Sequence, residues 1–551
     1  MAVPSYTSYD YIIVGGGISG TVIASRLREQ LPASSILLLE AGKDPVGHPV
    51  TGAALAVFGF HHSDLDWDFT SVPQSQLNNR ACYQAAAKCL GGGSSINYNT
   101  WLRGPKADYD RWAKLVEDDQ WSYDQLLKYF ERVEASPSHP GGKIHVNSVT
   151  QSHPDRKYPL RDAVLAAWES TGLKHNPAPN EGDPLGITEL YENRDGGQRQ
   201  FAHKVYNLDK VDILTEAQAA RILISGDTAN GKKVANGVEL LDGRRFHARK
   251  EVIVSCGAYN TPKLLLLSGI GPKEQLQEHG IQQVVDAPEV GRNFHDHPAV
   301  VLIWKLKEGD SNLPMSAIGA NPGFQVGLPA DWVVFAGLDS QLIRNALIKD
   351  GEDPEGVEGQ YLLNANNIFT ETLSVYAPAG ANHADMDIPF DGRHVSTPVL
   401  GMLPTSRGSI TLASNDPTTA PRVDPNYYAT EVDRTALRTG IRRAVKAFRE
   451  SAAVKDLVES EVPPDNFPPL HADSSDEEID DRVRRVVNTF FHAGGSCAMG
   501  KAVDSELRLY GVEGLRVVDA SVLPTPIAAH YQYCIYTVAE KAAELIAARH
   551  T

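Results

Sequence analysis

The chain has 551 residues, of which 42% are hydrophobic and 22% are charged, with 52 lysines and arginines against 69 aspartates and glutamates. This length predicts more than one domain, and this hydrophobic content is enough for a core. The formal net charge of −17 argues against a nucleic-acid or anionic membrane partner. No segment resembles a signal peptide or a membrane span, so we expect an intracellular, cytoplasmic protein, although a signal peptide removed earlier would leave the same pattern.

The cysteines give no sign of a metal or disulfide framework. They are odd in number and lack C-x-x-C spacing, which favours a reduced compartment. The five are Cys82, Cys89, Cys256, Cys497 and Cys534.

The first predicted elements are a strand, a glycine-rich turn and a helix. Residues 11–14 (YIIV) have the composition of a buried parallel strand, and residues 15–20 (GGGISG) match G-x-G-x-x-G. Residues 21–31 then place apolar side chains at near-helical spacing until Pro32. This order predicts a dinucleotide site, whereas an isolated glycine cluster would also suit a plain turn.

Each glycine of this motif has its own physical role. Gly15 permits the tight turn, Gly17 lets the main chain approach a pyrophosphate, and Gly20 lets the helix pack closely on the strand. A second strand, 35–39, ends in Glu40, about 20 residues beyond the last glycine, where an acidic side chain binds ribose hydroxyls. A carboxylate at this position favours FAD or NAD over NADP.

A second glycine-rich segment lies at 88–105 (KCLGGGSSINYNTWLRGP). Its small residues indicate close approach of the backbone to a flat ligand, with a flexible loop as the alternative. Further along, alternation at 409–413 predicts a strand, and 431–451 predicts an amphipathic helix. The acidic run 473–481 is typical of a solvated helix start.

Four signatures together resemble those of the glucose-methanol-choline (GMC) oxidoreductases, and they span nearly the whole chain. They are the glycine turn with LLLEAG (37–42), LGGGSSIN (90–97) with WLRG, GAYNTPKLLLLSGIGP (257–272) with VGRNFHDH (290–297), and HAGGSCAMG (492–500) with GLRVVDASVLPTPIAAH (514–530).

This resemblance implies an α/β fold in which a Rossmann-like FAD-binding domain is interleaved with an α+β substrate-binding domain built on an antiparallel sheet. We assign residues 1–155, 200–300 and 485–551 to the FAD-binding domain. The substrate-binding domain takes 156–199 and 301–484.

The resemblance also implies where FAD binds. Ala219 matches the adenine contact, Asp519 and Ala520 the second phosphate and ribityl contact, and the Gln532 N–H the pyrimidine edge. Ile96 stands where some members carry a histidine that tethers FAD, so non-covalent FAD is expected. The implied cofactor-binding residues are Gly15, Gly17, Ile18, Ser19, Gly20, Glu40, Gly92, Asn97, Ala219, Asp519, Ala520 and Gln532.

His492 and His530 match the family's catalytic pair. Alcohol oxidation removes a hydroxyl proton while a hydride leaves the carbon, and neutral imidazole suits the first task near pH 7. We assign His492 as the base and His530 as the hydrogen-bonding partner, although coupled imidazoles leave the reverse assignment open.

Other candidates are weaker. His295, Asp296 and His297 offer no recognisable third metal ligand, and their segment matches one whose role in the family is structural, so no metal site is expected. His61 is assigned to loop surface or a flap near the flavin, and Cys497 to a packed position. For the pocket wall, the aromatic candidates are Phe369, Tyr376 and Tyr531.

The predicted function is FAD-dependent oxidation of a small aryl or aliphatic alcohol to an aldehyde or ketone, with O2 or another acceptor reoxidising the flavin. The alternatives are a hydroxynitrile lyase that uses the same histidines, a non-catalytic FAD-binding protein and a nicotinamide-dependent dehydrogenase.

Overall fold

The computed structural model describes residues 7–52, 54–136, 140–226, 233–307 and 323–550. Two large β-sheets organise these residues, one with a parallel centre and one antiparallel. Helices and loops pack around both sheets. The predicted fold class, a Rossmann-like domain with an antiparallel α+β domain, is confirmed.

The first sheet has the amino-terminal strand near its centre. Ser8–Val14 pairs in parallel with Ile36–Leu39 on one side and Arg245–Val254 on the other. These strands are buried over their last four residues because both faces of the sheet are covered there. The sheet order is Asp212–Leu214, Ile36–Leu39, Ser8–Val14, Arg245–Val254, Lys233–Leu240 and Ala219–Ser225, with Val512–Glu513 and Leu515–Val517 pairing at the side.

The second sheet is antiparallel and almost entirely buried. Every residue of Ala330–Ala336, Thr370–Val375 and His394–Gly401 is buried. The sheet order is Val458–Val462, Pro298–Leu306, His394–Gly401, Thr370–Val375, Ala330–Ala336 and Gly186–Glu189, with Asn488–Thr489 pairing with the second of these. Two of its strands, Pro298–Leu306 and Asn488–Thr489, lie across or beside our expected boundaries at 300 and 485, so the domain division stays a prediction.

In the described ranges, six short strand pairs lie outside the two large sheets. They are Phe69–Thr70 with Tyr83–Gln84, Glu134–Ala135 with Ile144–His145, Asn147–Ser148 with Tyr191–Glu192, Arg194–Asp195 with Gln198–Arg199, Ile270–Gly271 with Val285–Asp286, and Ser409–Thr411 with Arg422–Asp424.

Two helices of the chain, one near each end of the sequence, pack against each other. Ile18–Gln30 starts directly after the glycine turn and packs against the carboxy-terminal helix Tyr531–His550. The other helices of eight or more residues are Lys106–Leu115, Tyr123–Val133, Arg161–Glu169, Gly257–Leu267, Ser340–Asp350, Glu431–Val445 and Asp476–Val486. Shorter helices are Gly93–Ile96, Val149–Ser152, Ala202–Val205, Lys273–Glu278, Gly323–Val326 and Val357–Leu362.

Candidate active site

A cavity of about 400 Å³ is lined by residues of both sheets and of every signature segment. Each predicted site residue except Gly20 lies in its wall. The lining members are Gly15, Gly17, Ile18, Ser19, Glu40, Gly92, Asn97, Ala219, His492, Asp519, Ala520, His530 and Gln532.

The glycine turn is shaped by backbone contacts. Gly15 has φ +106°, and a Cβ there would lie 2.2 Å from the Ser255 carbonyl oxygen. A Cβ on Gly20 would lie 1.9 Å from the Gly15 carbonyl oxygen. Gly20 therefore serves helix–strand packing, which explains why it lies outside the cavity wall.

Gly17 and Gly92 bring the two glycine-rich segments together at the cavity. A Cβ on Gly92 would lie 2.7 Å from the Gly17 Cα, so no side chain fits there. Within the described part of the chain, a Cβ on Gly17 would by contrast meet only the Gly92 Cα, at 3.8 Å. Protein packing alone does not require glycine at position 17, whereas a ligand lying against the main chain does.

Glu40 supplies a buried carboxylate in the same wall. One oxygen accepts from the Gly16 N–H at 2.9 Å and the other from the Gly42 N–H at 2.8 Å. Burial raises the pKa of Glu40, and these backbone donors act in the opposite direction. An acceptor held in this position suits the ribose hydroxyls of a dinucleotide.

The carboxy-terminal segment is tied to the rest of the wall by side chains. Asn97 donates to Gln532 Oε1 at 2.9 Å and accepts from Arg199 at 2.8 Å. Asp519 accepts from the Thr261 hydroxyl at 2.6 Å, and burial raises its pKa. The donors, acceptors and glycine-lined surface fit a dinucleotide cofactor lying along the turn.

The two predicted catalytic histidines lie side by side in the wall. Their ring centroids are 4.7 Å apart, and the rings are inclined by 66°. Tyr531 stacks on His492 at 5.4 Å, and the Phe490 ring contacts both imidazoles. A substrate hydroxyl at this point of the cavity would meet both rings.

Glu371 is a site residue that sequence reasoning missed. It lies on the strand Thr370–Val375, fully buried, and its Oε1 is 2.6 Å from His530 Nε2. The remaining oxygen, Oε2, has no hydrogen-bond partner among the residues that the structure describes. The one available signal was a carboxylate within a strand whose other residues are uncharged.

Asp296 and His297 lie against His492. The Asp296 carboxylate accepts from the His492 backbone N–H at 2.9 Å, and the His297 and His492 Nδ1 atoms are 2.9 Å apart. Burial, and then the neighbouring imidazoles His530 and His297, hold the pKa of His492 well below its ordinary value. In the described ranges, no group of three or more His, Cys, Asp or Glu side chains is arranged to hold a metal ion.

The aromatic wall differs from the expectation. Tyr531 lines the cavity, but Phe369 and Tyr376 are buried outside its wall. They flank the strand Thr370–Val375, whose Leu373 and Val375 do line the cavity, and alternation along the strand puts Tyr376 on the opposite face. The lining aromatic side chains besides Tyr531 are Phe58, Phe60, Trp67, Tyr98, Tyr259, Phe490 and Phe491.

His61 is also part of the wall and is not simple loop surface. Its ring nitrogens lie 3.2 Å from the Tyr83 hydroxyl and 3.1 Å from the Tyr98 hydroxyl. Burial lowers the pKa of His61 to about 3, which keeps the ring neutral. Cys497 is fully buried, and burial raises the pKa of its thiol, as expected for a packed position.

Family models describe most of the chain. The amino-terminal GMC oxidoreductase model matches residues 9–299, and the carboxy-terminal one matches residues 404–539. Of the described helices, none is long and apolar enough to cross a membrane.

Individual relatives agree with these matches. A GMC-type oxidoreductase of Aspergillus aculeatus, acuG, is 38% identical over 98% of this chain and 99% of its own length. Pyranose dehydrogenase 3 of Leucoagaricus meleagris is 30% identical over 99% and 94%. A solved structure of an Aspergillus oryzae formate oxidase variant matches with TM-score 0.86 and 29% identity, over 100% of this chain and 99% of that one. With these matches and a cavity that fits the dinucleotide, the protein belongs to the GMC oxidoreductases, the flavoenzymes that bind FAD.

Proposed function

We propose that the protein oxidises a small aryl or aliphatic alcohol to the aldehyde or ketone. The observation that carries this proposal is the adjacent pair His492 and His530 in the wall of the FAD cavity. FAD bound in this cavity would supply the acceptor for the hydride that leaves the carbinol carbon as the C=O bond forms, and O2 or another acceptor would then take the electrons.

The two imidazoles have different partners, which supports different roles. His492 engages His297 through Nδ1, so its Nε2 is the nitrogen left for the alcohol O–H proton. His530 engages Glu371 through Nε2, and when this ring carries a hydrogen on both nitrogens its Nδ1 donates a hydrogen bond to the alcohol oxygen. A hydroxyl held between the two is oriented for loss of its proton to His492.

The wall contributed by the second sheet supports a neutral substrate. It offers aliphatic side chains, and no lysine or arginine from this sheet is among the described lining residues. A substrate carboxylate would lose its hydration there without gaining a cationic partner. The aliphatic members are Ala299, Val301, Leu373, Val375 and Pro398, and the sheet also contributes the uncharged polar Asn488 and Thr489.

A substrate panel tests the proposal. We expect neutral primary or secondary alcohols to be turned over to carbonyl products detected by mass spectrometry, and their carboxylate-bearing analogues to be poor substrates. Efficient turnover of the charged analogues alone would overturn the substrate class proposed here.

The low pKa of His492 predicts the pH dependence. A base must be deprotonated, and a pKa held well below 6.5 keeps His492 neutral through neutral and mildly acidic pH. We therefore expect kcat/KM to stay level from pH 8 down to 6.5 and to fall only at lower pH. An acid limb centred above pH 6.5 would show that another group, or an unshifted histidine, acts as the base.

Gly92→Ala tests the cofactor surface. The added Cβ would sit 2.7 Å from the Gly17 Cα, so the two glycine-rich segments must separate. We expect the FAD dissociation constant to rise at least about 10-fold, since roughly 1.4 kcal/mol of lost contact suffices. Gly243→Ala is the matched control, because Gly243 also has positive φ, +84°, but no described residue would lie within 4 Å of the added Cβ.

Ile96 lies in the cavity wall and offers no nucleophilic atom to the flavin. We therefore propose that FAD is held without a covalent bond. Acid precipitation of the protein should release all of the flavin into the supernatant, measured by absorbance; flavin retained in the pellet would contradict this.

A further inference from the structure

We propose that the segment His295–His297 is a clamp for His492, and that His297 is the positioning residue that presents His492 Nε2 as a proton acceptor. This inference rests on the proposed function, because it concerns the same base. Each of the three residues makes a different kind of contact: His295 pairs with the backbone next to His492, Asp296 binds the His492 N–H, and His297 contacts the His492 ring.

The register of two paired segments brings the clamp to His492. His295 and Gly494 exchange both backbone hydrogen bonds, at 3.0 and 2.8 Å. The pairing resumes with a shift of two residues, because the Phe490 N–H donates to the His297 carbonyl at 2.9 Å and Pro298 pairs with Thr489. His492 lies in this irregular stretch, between the two paired regions and beside residues 296 and 297.

Asp296 holds the backbone of His492. Its Oδ1 accepts from the His492 N–H at 2.9 Å, and its Oδ2 accepts from the Tyr427 hydroxyl. The carboxylate is 3% exposed, so these donors replace water around it. These two hydrogen bonds fix the His492 main chain relative to the buried Tyr427.

Tyr531 and His297 enclose the His492 ring. Tyr531 stacks on His492, and its hydroxyl engages His295 Nδ1 at 3.1 Å. His297 meets His492 edge to face, with centroids 5.0 Å apart and an angle of 86° between the rings. The imidazole of His492 therefore cannot flip without breaking the contact between the two Nδ1 atoms.

That contact also decides the tautomer. Burial lowers the pKa of both rings, that of His297 to about 3, so both rings are neutral and each has one N–H and one bare nitrogen. Only one of the two facing Nδ1 atoms therefore carries the hydrogen of this contact. If His492 donates it, His492 Nε2 keeps a lone pair for the substrate proton. If His297 donates it, His492 Nε2 carries the hydrogen and cannot act as a base.

The proposed role of His492 as base requires the first arrangement. It places a hydrogen on His297 Nε2, which is buried and has no hydrogen-bond partner among the described residues. The Met402 backbone acts to raise the pKa of His297, as an acceptor near a ring N–H does.

A pair of isosteric variants tests the clamp. Asn retains a polar atom near the position of the His297 Nδ1, whereas Leu has the same shape without it. In the FAD-loaded full chain, we expect His297→Leu to slow anaerobic flavin reduction by an alcohol about 10- to 100-fold, the effect of removing a partner that orients an imidazole. His297→Asn should stay within about 3-fold of the parent, and the apparent alcohol dissociation constant should be unchanged in both.

Equal reduction rates in the Leu and Asn variants would overturn the clamp, as would a change confined to alcohol binding. If the Leu variant does not retain FAD, His297→Met takes its place and the same loss is expected. Failure of the parent protein to be reduced by any alcohol would instead refute the proposed function, so the two failures are distinguishable.

Discussion

Replacing His492 with alanine is expected to slow reduction of bound FAD by an alcohol about 10³-fold, within the range that general-base removal costs. The effect should be large because His492 offers the free nitrogen Nε2 and stays neutral at working pH. FAD content should be unchanged, since the glycine turn and Glu40 are untouched. Stopped-flow absorbance under anaerobic conditions measures the rate constant.

Two comparisons make the His492→Ala result specific. Added imidazole should restore part of the rate by entering the space left by the side chain. His471→Ala, at an exposed histidine outside the cavity wall, should leave the rate unchanged. A His492→Ala protein reduced as fast as the parent would remove His492 from the chemistry and shift the role of base to His530.

Replacing Glu371 with glutamine is expected to lower the same rate constant about 30-fold. The amide oxygen can still accept from His530 Nε2, but the negative charge that strengthens this hydrogen bond is lost, a change of about 2 kcal/mol. Glu371→Leu should cost more, because it leaves a buried N–H without a partner. Both variants are measured by anaerobic flavin reduction across the pH range.

The control for Glu371 lies on the edge strand of the same sheet. Glu459 is exposed and pairs with Lys305, so Glu459→Gln changes the charge by the same amount far from the imidazoles. It should leave the rate unchanged. Full activity of Glu371→Gln together with Glu371→Leu would show that the carboxylate does not act through His530.

Local pattern predicted the cofactor half of the site. The strand, glycine turn and helix are consecutive in the chain, and Glu40 ends the next strand, so short-range spacing was enough to place them together. The helix expected at 431–451 is also present, as Glu431–Val445 followed by a π-helical turn, Lys446–Glu450. Periodicity found it because one face is buried. At the acidic run, Asp480 is buried against Arg438, a contact that composition alone does not indicate.

The partners of the two histidines could not be predicted in this way. Glu371 is 159 positions from His530 and His297 is 195 positions from His492, so only the three-dimensional fold brings each pair together. Phe369 and Tyr376 were candidates for the pocket wall because they are aromatic. Their strand neighbours are buried on both faces, and composition alone does not say which face borders the cavity.

The most direct test of the central claim is an anaerobic absorbance scan of the FAD-loaded protein mixed with a panel of primary and secondary alcohols. We expect at least one class of alcohol to bleach the oxidised-flavin band and the carbonyl product to appear in equal amount. A protein that retains its FAD yet is bleached by no alcohol would contradict the account, and cleavage of a cyanohydrin by that protein would establish the lyase instead.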